Sequence, residues 1–72
     1  MGYGVKLIQK IGNKEYMSYV GLDCGCYVPV SNVNESVSMT KKSAEGFALN
    51  AAKMIPNNHI IRGEIFIKNK IQ

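Results

Sequence analysis

Apolar residues follow two rhythms along this chain. Between Thr40 and Pro56, Ala44, Phe47, Ala48, Ala51 and Ile55 recur at i, i+3, i+4, i+7 and i+11, which is one stripe of an α-helix. Thr40 stands just before the stripe, and its hydroxyl can accept from the unpaired backbone N–H groups of a first turn. Pro56 cannot continue a helix and disfavours the helical conformation at Ile55. The pattern predicts one helix over about 41–55. Its stripe is mostly alanine, so its backbone is expected to lie close to the layer beneath, with Phe47 as the one large anchor.

Elsewhere the rhythm has a period of two, which is that of strands. Residues 3–11 alternate Val5, Leu7 and Ile11 against Lys6, Ile8 and Lys10. Gly12-Asn13 is a two-residue hairpin signal in which both residues tolerate positive φ. Residues 14–22 then return, with Lys10 opposite Glu15, Ile8 opposite Met17, Leu7 opposite Ser18, Lys6 opposite Tyr19 and Val5 opposite Val20. That register places Val5, Leu7, Ile11, Tyr16 and Val20 on one face, and a slip of one residue would scramble it. Residues 21–34 are interrupted by Gly21, Gly25, Pro29 and Ser31-Asn32, and are expected to form an ordered loop packed through Tyr27, Val28, Val30 and Val33. Residues 36–39, with Val37 and Met39, read as a short third strand. After a turn at Asn57-Asn58, residues 59–70 form the last strand. Ile61, Ile65 and Ile67 point one way, and Arg62, Glu64, Phe66, Lys68 and Lys70 the other. Gly63 marks a bulge or a close approach of the helix backbone.

The order β-β-β-α-β implies a two-layer α+β domain over 1–72, with a mostly antiparallel sheet of three or four strands and one helix on one face. A right-handed crossover through the helix would make the third and fourth strands parallel, in a sheet ordered 3-2-1-4. One helix cannot cover both faces. The uncovered face is expected to carry Ile8, Met17, Tyr19 and Phe66 together with charged residues that include Arg62 and Lys68. Such an apolar cluster marks a contact site for a partner protein, or for a second copy of the chain. Lys68 and Lys70 are placed to guard the edge strand against unwanted pairing.

Composition adds bounds. A chain of 72 residues buries only about 60% of its unfolded surface, so its core is small. The net charge of +4 comes with nine scattered basic residues, of which one is arginine; this reads as solvated lysine more than as a reader of phosphates. No apolar run approaches the roughly 20 residues of a membrane span. No basic segment leads into a long apolar one as in a signal peptide, and the expectation is a cytoplasmic protein without a membrane partner.

The chemistry-bearing residues are few. Cys24-Gly25-Cys26, beside Asp23, is two ligands short of a zinc site, and inert buried thiols are the expectation. His59 is the sole histidine and has no evident partner. No phosphate loop, dinucleotide fingerprint or nucleophile–base set occurs. The expectation is a non-enzymatic protein without cofactor or metal. Lys41-Lys42 opens the helix where its dipole favours anions, which makes this pair a candidate anion site. Tyrosines interleaved with lysines make nucleic acid the alternative partner.

The segments 16–21 and 39–56, taken with the size and order of elements, resemble small accessory proteins of phages and prophages. Several of these act by binding a host or defence protein, including the anti-CRISPR inhibitors. The likeness implies a non-enzymatic inhibitor or modulator in the host cytoplasm, and it transfers no functional residue. The β-β-β-α-β order also resembles HicB-type antitoxins, whose helix usually opens with an acidic pair before an alanine, where this chain has Lys41-Lys42 before Ser43-Ala44.

Overall fold

The computed structural model describes residues 2–56 and 58–68. Four strands, β1 (Gly2–Ile11), β2 (Lys14–Asp23), β3 (Cys26–Val30) and β4 (Ile60–Lys68), form one sheet in the order β3-β2-β1-β4. A helix crosses one face in two pieces, α1 (Lys41–Leu49) and α2 (Ala51–Met54). The fold is α+β, with every strand pair antiparallel.

The β1–β2 register is the expected one, with Lys6 opposite Tyr19, Leu7 opposite Ser18, Ile8 opposite Met17 and Lys10 opposite Glu15. In the connecting turn only Gly12 has positive φ (64°). That single mirror-image residue, at the first turn position, is what a type II′ hairpin needs.

Three expectations change. First, the third strand is Cys26–Val30 and not 36–39. Residues 21–34, expected as a loop, contain the end of β2 and all of β3, joined by Cys24-Gly25 with φ of 52° and 80°. Two successive positive φ values give a two-residue type I′ hairpin. Pro29 is tolerated because β3 is an edge strand. Residues 36–39 fill the gap where β1 and β2 splay: the Val37 N–H donates to Val20 O, and Tyr3 and Met39 exchange backbone hydrogen bonds of 2.8 and 2.7 Å. Second, β4 runs antiparallel to β1, so it is not parallel to β3. Moving the third strand from 36–39 to 26–30 leaves a longer connection into the helix, which can return the chain in the opposite sense. Third, the helix breaks at Asn50 (φ −118°, ψ 24°). The Asn50 side chain donates to Gly46 O at 3.0 Å, while its backbone N–H donates to Phe47 O. The side chain therefore takes the acceptor that the fourth-residue bond would use.

The alanine stripe packs as expected. Ala44, Phe47, Ala51 and Ile55 are buried against Val5, Leu7, Val20 and Ile60, with Ala48 partly buried beside them. Burial of each large member stabilises the fold by about 1.5–3 kcal/mol. The Thr40 hydroxyl accepts from the Ser43 N–H at 3.2 Å and caps α1. A Cβ at Gly63 would lie 3.0 Å from both the Cα and the carbonyl oxygen of Ala48, so the helix backbone sits directly on this glycine. The bulge falls elsewhere. Ile8 pairs with Arg62 and Gln9 with Ile60, which leaves Ile61 as the extra residue. Ile61 is therefore exposed, and Ile60 takes the core position expected of it.

The helix does not reach the far end of its face. Ile11 and Tyr16 lie on the expected side but are 51% and 47% exposed. In that region the layer is closed by polar groups: Ser18 Oγ donates to Gln9 Oε1 at 2.6 Å, and Gln9 Nε2 donates to Asn58 O at 2.9 Å. This chain of bonds ties the exit loop of the helix to the sheet. Lys70 lies outside the described residues.

Candidate functional site

Side chains alternate along a strand, so the face turned away from the helix is fixed by the register. It carries Lys6, Ile8 and Lys10 from β1, Glu15, Met17 and Tyr19 from β2, Val28 and Val30 from β3, and Arg62, Glu64, Phe66 and Lys68 from β4. At its centre Tyr19 and Phe66 meet edge to face, with ring centroids 5.6 Å apart and planes inclined at 73°. Such pairs contribute about 0.5–1.5 kcal/mol beyond their buried area.

Two glycines make room for this cluster. A Cβ at Gly4 would come within 2.5 Å of the Phe66 ring, and one at Gly21 within 2.6 Å of Val30 Cγ1. Phe66 and Val30 thus lean over bare backbone from the two opposite edges of the sheet, on the same face. Tyr19, directly across from Val30, lies between them. The result is a diagonal apolar strip whose side chains come from three strands and which crosses all four.

The sequence-predicted residues take different positions on this face. Met17 is 62% exposed, while Tyr19 and Phe66 are half-buried. Ile8, expected to be open, is only 5% exposed and presents little surface to a partner. It is flanked directly by Met17 and Arg62 on the neighbouring strands. Arg62 is exposed, and its Nε donates to Glu64 Oε2 at 3.0 Å. Lys6 Nζ stands 4.0 Å from the other Glu64 oxygen. Lys68 turns to the end of the face, where its Nζ donates to Ser36 O at 2.6 Å. The basic groups Lys6, Lys10, Arg62 and Lys68 therefore surround the apolar strip, with Glu15 and Glu64 among them.

Val28 and Val30 were not legible as members of this face. Their signal was the alternation of Tyr27 and Pro29 against Val28 and Val30, hidden because Cys24-Gly25 does not look like a hairpin turn. On the other side of β3, Tyr27 meets Phe47 edge to face at 5.0 Å.

Lys41 and Lys42 belong to the opposite layer. Both are exposed at the start of α1, and the first turn has no acidic residue. Lys42 borders an open groove of about 540 Å³ between the helix and β3, lined also by Tyr27, Ser38, Phe47 and Met54. The fold therefore does not unite the candidate anion site with the sheet-face residues. Cys24 and Cys26, expected as buried thiols, are both free and exposed. The tight turn places them at the tip of the β2–β3 hairpin, outside the reach of the helix. His59 is exposed, and its left-handed backbone (φ 57°) lets its carbonyl accept from the Lys10 N–H at 3.0 Å. Among the described residues, no three His, Cys, Asp or Glu side chains gather in a way that could hold a metal ion.

No helix among the described residues is long and apolar enough to cross a membrane. No protein-family model, curated protein or solved structure matches the chain.

Proposed function

We propose that the chain is a non-enzymatic protein-interaction module that docks through its helix-free sheet face. The carrying observation is the Tyr19–Phe66 pair, half-buried at the centre of that face and bordered by exposed Met17. An aromatic anchor inside a polar rim is the usual anatomy of a protein contact. Lys6, Lys10, Arg62 and Lys68 outnumber Glu15, Asp23 and Glu64 on this face, so the favoured partner surface is acidic. The likeness in size and pattern to phage accessory proteins extends the reading to a phage-encoded inhibitor or modulator of a host or defence protein, acting in the host cytoplasm. Self-association through the same face is its symmetric variant.

The test uses Met17→Asp and Arg62→Glu, both at exposed positions. Nuclease-treated lysate is passed over the tagged chain, and captured proteins and solution mass are read together. Loss of at least tenfold in capture, or collapse of a dimer to a monomer, supports the reading. Unchanged capture and mass in both variants refute it.

The same basic rim around two aromatic rings supports a second reading, binding of single-stranded nucleic acid. Salt separates the two: phosphate binding weakens steeply with ionic strength, and a mainly apolar contact does not.

A further inference from the structure

Cysteine is among the most buried of residue types, yet both thiols of this chain stand on the surface. They flank one glycine in one turn. Asp23 and Cys26 form the last pair of the β2–β3 ladder, and Cys24 and Gly25 make the whole connection. Both connecting residues have positive φ, which fixes the turn and with it the separation of the two Cα atoms. Cys24 occupies a place where asparagine, aspartate or glycine is the usual choice. Packing explains neither thiol.

We propose that Cys24 and Cys26 form a two-thiolate site for a soft monovalent cation, Cu(I). Thiolates select Cu(I), zinc and iron–sulfur clusters over hard cations. Zinc takes four ligands, and so do the clusters. Among the described residues no third histidine, cysteine or carboxylate joins the pair in a metal-binding group. Two soft donors are a complete set for Cu(I) and an incomplete one for the others. Binding replaces two S–H bonds with two S–Cu bonds and releases two protons, with no electron transferred. The backbone of the turn is set by the positive φ values of Cys24 and Gly25, so only the two side chains need to be ordered on binding.

The reduced full chain is titrated without oxygen against Cu(I) held by the coloured chelator bicinchoninate. Loss of chelator colour and native mass spectrometry are read together. The expected result is one Cu(I) per chain, weakened at least tenfold in Cys24→Ser and in Cys26→Ser, with unchanged far-UV circular dichroism. Prior alkylation of the wild-type thiols with iodoacetamide is expected to abolish binding equally, which keeps the test independent of either variant. Failure to draw Cu(I) from the chelator overturns the proposal. So does full binding by either serine variant or by the alkylated chain. Half a metal per chain with a doubled mass also overturns it, because that is a four-thiolate site shared by two copies.

Discussion

Gly63→Ala adds one methyl group at the tightest point between sheet and helix. The added carbon would stand 3.0 Å from the Cα and carbonyl oxygen of Ala48 and 3.2 Å from the Ala51 Cβ. Ordinary contact needs several tenths of an ångström more, and two of the three opposing atoms are backbone. No side-chain rotation can clear them, so the helix has to lift along the stripe that buries Phe47. Overpacking of this kind costs about 1–3 kcal/mol. The substitution also restricts the unfolded chain, which returns about 0.4–1 kcal/mol. The net expectation is a loss of about 1–2 kcal/mol. For a domain of this size each kcal/mol lowers the melting temperature by about 4–8 °C. Urea unfolding followed by far-UV circular dichroism should show a lower midpoint at unchanged slope. A midpoint equal to or above that of the wild type would refute the close approach of helix and strand.

Two further substitutions probe other points of the same framework. Gly46→Ala places a methyl group in open space inside α1, with nothing within 4 Å, and should stabilise the chain by about 0.5–1 kcal/mol in the same assay; a loss would mean that α1 is not helical at this point. Cys24→Asn installs a residue that tolerates the left-handed region, where most residues lose about 1–2 kcal/mol, so the urea midpoint should rise; a fall would contradict the type I′ turn.

The legible parts of the fold were those whose signals are local and redundant. The helix stripe, the Thr40 cap and the Pro56 stop agree with one another, and the structure keeps all three. The β1–β2 register followed from hydrophobic alternation and a turn residue that point to the same pairing. The β2–β3 hairpin was hidden because its turn carries cysteine where asparagine or aspartate would announce it. Val37 and Met39 pack against the core as a strand would, but each end of their segment finds only a single bridge. The direction of β4 depends on where the third strand lies, so a third strand at 36–39 implies a parallel β4 and one at 26–30 an antiparallel β4. Ile8 shows the limit of face assignment. Alternation puts it on the helix-free side, and only the neighbours packed around it decide that it is buried. The exposure of Ile11 and Tyr16 reflects the reach of a helix that stops at Pro56, which strand periodicity does not encode.

The placement of β1 between β2 and β4 also dictates the sequence of assembly. The β1–β2 and β2–β3 hairpins close over two-residue turns, and such hairpins form in about 1–10 μs. The pairing of β1 with β4 joins Gln9 to Ile60 and Gly2 to Lys68, and the intervening chain must be organised before that rail of amides is filled. Until then Val5 and Leu7 lie unroofed beside a bare strand edge. Refolding should therefore be paced by the arrival of the final strand, and this interval is when stray chains have their best opportunity to pair with β1.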